Sequence, residues 1–187
     1  MTPHDRPEPA ELNPPRLAAI LYGPGDDADT LLDAFVQGLV QRGVRVGGIV
    51  QRNTRDEIGR KSGMDVIDLA NGDRISICLD LGSGSTACKL DAAGLAEAGM
   101  AVHRAIAAHA DLIVVNKFSK QEASGSGLRD ELADAITSGI PVLTAVPQKC
   151  IEDWRDFTGG LGTLLSPSQP AMEAWWHDLN SRREPIG

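Results

Sequence analysis

A strand-length apolar run, Leu17-Ala-Ala-Ile-Leu-Tyr22, empties into the glycine-proline turn Gly23-Pro-Gly-Asp-Asp-Ala-Asp-Thr30. Beyond it Leu31, Leu32, Phe35, Val36, Leu39 and Val40 recur at helical spacing. Strand, turn and helix in that order aim backbone N–H groups and the positive end of the helix dipole at whatever anion sits in the turn. Counted from Gly23, and with Gly25 inside the turn, the spacing is that of G-x-x-x-x-G-K-[ST], but Ala28 replaces the second glycine and Asp29 the lysine. Only Thr30 matches. The exchange of lysine for acid moves the local charge by two units, and Asp26 and Asp27 add two more negative charges. At about 5 Å and an effective dielectric near 20, each charge pair is worth roughly 3 kcal/mol before screening. Three carboxylates therefore oppose a bare triphosphate. Two other roles suit them: capping of the helix by an Asp or by Thr30, and retention of a hard cation such as magnesium by Asp26, Asp27 and Asp29.

The 187 residues are enough for one domain with a sizeable core. A net charge of −8 argues against a general nucleic-acid or anionic-membrane surface. No apolar run reaches the length of a membrane span and the start lacks a secretory-signal layout, so a cytoplasmic protein is expected. Cys78, Cys88 and Cys150 are scattered and form no C-x-x-C pair, and His4, His103, His109 and His177 form no i, i+4 pair. No transition-metal cation site is expected from them.

Residues 1–15 hold five of the eleven prolines and little apolar material, which predicts a disordered arm. Residues 16–187 then read as a single α/β domain, with a core over 16–147 and a C-terminal helical cover over 148–187. The first helix closes near Gly43, and Val44-Arg-Val-Gly-Gly-Ile-Val50 reads as a second strand whose glycines permit close backbone approach. The polar segment after it carries Arg52 and Asn53 at the carboxyl end of a strand, where open parallel sheets bind ligands. Asn71-Gly72 between two apolar runs predicts a β-hairpin appended to that sheet. The hairpin delivers Gly82-Ser-Gly-Ser-Thr-Ala-Cys-Lys89, in which Ser83, Gly84, Ser85, Thr86 and Lys89 have the makings of an oxyanion nest or of an ordinary flexible loop. A helix over about 92–108, the buried strand Asp111-Leu-Ile-Val-Val115, a second helix carrying Leu128, Leu132 and Ile136, and the strand Pro141-Val-Leu-Thr-Ala-Val146 complete the alternation. Such an alternation predicts a three-layer parallel sheet with helices on both faces. All three tryptophans follow Pro147, which suggests a helical cover or a self-association surface, with core packing as the plainer reading.

Nucleotide-hydrolysing proteins of this architecture end a later apolar strand in an acid that holds magnesium. Here that place reads Asn116-Lys117, so the cation missing from the first loop reappears after the later strand, and an Asp29–Lys117 ion pair across the strand ends is predicted. Asn116-Lys117 also opens an N-K-x-D-like element, but position 119 is Ser, which discounts guanine recognition.

Five segments, Ile20-Leu-Tyr-Gly-Pro-Gly-Asp-Asp27, Gly47-Gly-Ile-Val-Gln-Arg-Asn53, Asp80-Leu-Gly-Ser-Gly-Ser-Thr-Ala-Cys-Lys-Leu-Asp91, Val115-Asn-Lys-Phe-Ser-Lys-Gln-Glu-Ala-Ser-Gly-Ser-Gly-Leu-Arg-Asp-Glu131 and Gly139-Ile-Pro-Val-Leu-Thr-Ala-Val146, together resemble a family of uncharacterised bacterial proteins. The resemblance spans about Leu17 to Trp176. Genes of that family commonly lie beside those for molybdate uptake, so the resemblance implies a link to molybdenum. More distantly the order of elements resembles the thermophilic nucleoside-triphosphatase family, a P-loop group, which implies a P-loop or Rossmann-like fold. That match fails at Ala28, Asp29, Asn116 and Lys117, while Thr30 and Glu122 survive.

The leading functional expectation is binding, storage or delivery of a small oxyanion, molybdate or tungstate, on a degenerate P-loop fold without covalent chemistry. Its ligands would be the loop around Gly23, Gly25, Asp29 and Thr30 together with Arg52, Asn53, Ser83, Gly84, Ser85, Thr86, Lys89, Asn116, Lys117 and Lys120. Charge-assisted hydrogen bonds from Lys and Arg contribute about 1.5–3 kcal/mol each. The enzyme alternative is a magnesium-dependent nucleoside triphosphatase with Lys117 or Lys89 as the cation, Glu122 as base and Thr30 on the metal. The third is a non-catalytic scaffold or regulatory partner that self-associates through its C-terminal region.

Overall fold

The computed structural model describes residues 16–55, 57–59, 61–79 and 89–181. Residues 1–15, for which a disordered arm is predicted, lie outside the described residues. The elements run β1 (Leu17–Tyr22), α1 (Ala28–Gln41), β2 (Val46–Arg55), β3 (Lys61–Asp68), β4 (Arg74–Ser76), β5 (Cys78–Leu79), β6 (Lys89–Leu90) and α2 (Ala92–Ala107). They continue with β7 (Leu112–Val115), α3 (Lys120–Ala123), α4 (Arg129–Thr137), β8 (Val142–Pro147), α5 (Ile151–Thr158), β9 (Thr163–Leu165) and α6 (Gln169–Ser181). The main sheet has seven strands in the order β4-β3-β2-β7-β8-β1-β9. Its five strands from β2 to β9 are parallel, and β3 and β4 add an antiparallel ribbon at one edge. The fold is the three-layer α/β sheet that the alternation of elements predicts, of the P-loop or Rossmann type that the resemblance implies.

Two apolar layers explain why the sheet is covered on both sides. On one face α1 contributes Leu32, Phe35, Val36 and Leu39, and α6 contributes Met172, Trp175, Trp176 and Leu179. On the other, α2, α4 and α5 bring Ala98, Val102, Leu132 and Trp154 onto Ile113, Val115 and Val142. The C-terminal tryptophans are thus shared between the two faces and all three are core residues, 2 to 8% exposed. Glycine at 47 and 48 is a steric requirement: a Cβ on Gly47 would run into the Ala105 side chain, and one on Gly48, whose φ is +97°, into the Val114 carbonyl.

Strand β2 differs from the sequence reading. It does not stop at Val50 but runs to Arg55, because past its last pairing with β7 (Ile49 with Val115) it stays paired with β3. Arg52 and Asn53 are therefore ribbon residues and not strand-end loop residues. The Asn71-Gly72 hairpin forms as read: Gly72 has φ +79°, Gly72 N donates to Asp68 O at 2.7 Å and Asp68 N to Asp73 O at 2.8 Å. Among the described residues no helix is long and apolar enough to cross a membrane.

Topology fixes where a ligand would enter. The chain leaves β1 through α1 and crosses β8 and β7 to reach β2, whereas it leaves β8 through α5 and passes to β9 on the far side of β1. Adjacent strands whose connections depart in opposite directions open a crevice at their carboxyl ends. Here those ends are Tyr22-Gly23 and Pro147-Gln148.

Candidate functional site

The loop after β1 engages the N–H groups of Gly23, Asp26 and Thr30 from within. Asp26 N donates to Gly23 O at 3.1 Å, and Gly23 N donates back to Asp26 Oδ2 at 2.8 Å. Asp27 caps α1: its Oδ1 accepts from Thr30 N at 3.1 Å and its Oδ2 from the Thr30 hydroxyl at 2.7 Å. The N–H groups of Gly23 and Thr30 are thus bound by carboxylates of the loop itself, and the Thr30 hydroxyl donates to Asp27. The capping role is the one realised. Asp26, Asp27 and Asp29 are directed to different partners, and among the described residues no group of three or more His, Cys, Asp or Glu is placed to hold a metal ion.

The predicted ion pair between loops is present. Lys117 Nζ lies 3.2 Å from Asp29 Oδ1 and 3.4 Å from Oδ2, and Asn116 Nδ2 donates to Asp29 Oδ1 at 3.0 Å. The two charged side chains are 18% and 13% exposed, so solvent screens the pair far less than a surface bridge. Lys117 also lies 5.4 Å from the centroid of the Tyr22 ring. Burial pushes the Tyr22 phenol above its ordinary value, against the opposing pull of the Lys117 charge. The Asn116–Lys117 peptide is cis. Asn116 is 2% exposed, and its Oδ1 is buried with no hydrogen-bond donor among the described residues.

The segment that follows is clamped from below. Phe118 is fully buried, its ring 5.2 Å from both Trp154 and Phe157. Glu122, 7% exposed, ties the segment together: Oε2 accepts from Ser119 N at 3.1 Å and Oε1 from Leu128 N at 3.2 Å. Burial raises its carboxyl pKa despite these donors, which act in the opposite direction. Gly127, with φ +62°, makes room for it, since a Cβ there would strike Glu122 Oε1. A carboxylate held this way organises the loop.

Two cavities meet at the strand ends. The first, of about 620 Å³, is bordered by Tyr22, Gly23, Gln51, Asn116 and Gln148 and by the cations Lys117, Lys120 and Lys149. Among the described residues Glu122 is its one acid, and Met64, Val66, Ile77, Leu95 and Leu128 form an apolar wall. Neither Lys120 nor Lys149 has an ion-pair partner among the described residues, and both are exposed. The second, of about 630 Å³, is bordered by Gly25, Asp26, Asp27, Asp29, Thr30 and Asp33 with Arg52 and Lys117. Both of its cations are matched by acids: Arg52 holds Asp33 in a two-pronged contact at 3.0 and 3.2 Å, and Lys117 holds Asp29.

Of the residues singled out from sequence, the structure gathers Gly23, Asn116, Lys117 and Lys120 at the first cavity and Gly25, Asp29, Thr30 and Arg52 at the second. Asn53 stands in β2 beyond them in sequence, with its side chain outside the description. Ser83, Gly84, Ser85 and Thr86 lie outside the described residues, and Lys89 opens β6 with its side chain likewise outside them. Lys149 and Gln148 were missed. The signal was available, because they directly follow β8 at its carboxyl end, the same position that drew attention to Lys117.

The family model described as "Protein of unknown function (DUF2478)" matches residues 17–175. A protein of Bradyrhizobium diazoefficiens named "Molybdenum import ATP-binding protein ModC 2" is 64% identical over 173 residues. The match covers 92% of this chain and 19% of that relative, so the chain spans about a fifth of the length of the curated relative it matches. Over residues 17–175, spanning the sheet and both helical layers, the chain belongs to the family described as protein of unknown function (DUF2478).

Proposed function

We propose that this protein is a cytoplasmic oxyanion-binding protein of molybdenum metabolism that holds molybdate or tungstate for storage or delivery and performs no covalent chemistry. The observation that carries the reading is the charge at the crevice: among the described residues, three lysines and one carboxylate border the first cavity, and two of the lysines have no ion-pair partner. Ammonium groups of that kind supply charge-assisted hydrogen bonds to a tetrahedral dianion. The relative's name supports the choice of metal oxyanion, since it refers to molybdenum import. Nucleoside-triphosphate hydrolysis is disfavoured because the N–H groups of Gly23 and Thr30 and the Thr30 hydroxyl are bound to Asp26 and Asp27, and Glu122 is tied to Ser119 and Leu128.

Isothermal titration with molybdate, tungstate, sulfate, phosphate and MgATP tests this. Molybdate or tungstate binds, more weakly as salt rises, and Lys120→Ala/Lys149→Ala lowers the affinity by at least about ten-fold. The same double variant keeps its unfolding free energy within about 0.5 kcal/mol, because both side chains are exposed. Binding and turnover of MgATP, with no retention of any oxyanion, contradicts the proposal.

A further inference from the structure

We infer that the first cavity, besides a bare oxyanion, takes an organic anion: a phosphate, sulfate, carboxylate or oxometalate group carried on an apolar, ring-sized body. The inference rests on reading that cavity as the anion site and concerns what else the ligand brings. Volume is the first reason. Water occupies about 30 Å³ in the liquid, so a tetraoxoanion displaces on the order of 100 Å³. The cavity measures about 620 Å³, within the range that accommodates whole cofactors and metabolites.

The second reason is how its chemistry is divided along the sheet. The lysines enter from the carboxyl ends of β7 and β8, at Lys117, Lys120 and Lys149. Most of the apolar wall comes from the opposite direction in the strand order, from Met64 and Val66 on β3 and Ile77 after β4, with Leu95 on α2, while Leu128 adds to it from the segment after β7. Met64 and Leu95 are only partly buried, so the wall keeps apolar surface for a ligand to cover. A bare oxyanion gains nothing from such a wall, whereas a ring stacked on it gains roughly 25 cal/mol for each Å² removed from water.

The test compares 1-naphthyl phosphate with inorganic phosphate, molybdate and uncharged 1-naphthol, by titration of the full chain. The expected result is 1-naphthyl phosphate binding at least about ten-fold more tightly than inorganic phosphate. Leu95→Gln, and independently Met64→Gln, each checked for folding by circular dichroism, shrinks that advantage to less than about three-fold while inorganic-anion affinity holds. Lys120→Ala/Lys149→Ala weakens both kinds of anion. If phosphate or molybdate binds and the naphthyl group adds nothing, the organic body is refuted and the anion site stands. If 1-naphthol matches 1-naphthyl phosphate and the lysine variant changes neither, or if no probe binds, the anion site and the inference built on it fall together.

Discussion

The two loops that face each other across the strand ends use their charges in opposite ways. In the loop from Gly23 to Thr30, carboxylates bind the backbone donors of Gly23 and Thr30, and Asp29 reaches out to Asn116 and Lys117. In the segment from Lys117 to Leu128, the backbone is anchored by Phe118 and Glu122, which leaves Lys120 exposed at the cavity beside Lys149. The first loop has the frame of a phosphate site, with the N–H groups of Gly23 and Thr30 engaged from within. The second has no such frame, yet it carries the cations. A strand-turn-helix frame is therefore not by itself evidence of anion binding; what decides is whether its N–H groups are already taken.

The contrast is broken most severely at the ion pair that joins the loops. Lys117→Ala leaves Asp29 partly buried with the Asn116 amide still donating to it, and should cost about 3 kcal/mol of unfolding free energy in urea titrations. A cost below about 0.5 kcal/mol would mean that the loops are held in register by something else. Next comes the internal clamp. Glu122→Gln replaces one of two accepting oxygens by a donor that faces an N–H, for an expected loss of about 2 kcal/mol at pH 5.

The same variant isolates a pH dependence. Because burial raises the Glu122 pKa above its ordinary 4.5, the folded protein binds that proton more tightly than the unfolded chain. The associated stability is fully present below about pH 4.5 and is lost as pH rises through the folded-state value. The wild-type-minus-variant difference in unfolding free energy should decline across that window, and a difference that grows with pH would reverse the assignment. The smallest effect is on the acidic side. Asp27→Ala removes the helix cap and should cost about 1 kcal/mol, with oxyanion affinity at the lysine cavity undiminished.

Much of this architecture was legible because its signals are local. Apolar runs of strand length and helical spacings locate β1, α1, β7, α4 and β8, and Asn71-Gly72 locates the hairpin, since Gly72 adopts the positive φ such turns require. The Asp29–Lys117 pair was legible from charge alone, as two exchanges against one pattern that cancel in space. What escaped depends on partners distant in sequence. β9 is three residues long and follows Gly159, Gly160 and Gly162, and it becomes a strand only because β1 offers an open edge. The polar end of β2 is a strand because β3 pairs with it, and Arg52, which looked like an anion ligand, is claimed by Asp33 one helix away. At the site, Lys149 carries no periodic signal of its own, since it lies two residues beyond the apolar run of β8.

Tungsten scatters anomalously, so crystals soaked in tungstate locate the bound anion directly. The account predicts an anomalous peak within hydrogen-bonding distance of Lys120 and Lys149, in the cavity that Gln148 borders. A peak in the loop from Gly23 to Thr30, or no ordered tungsten anywhere at saturating tungstate, would contradict it.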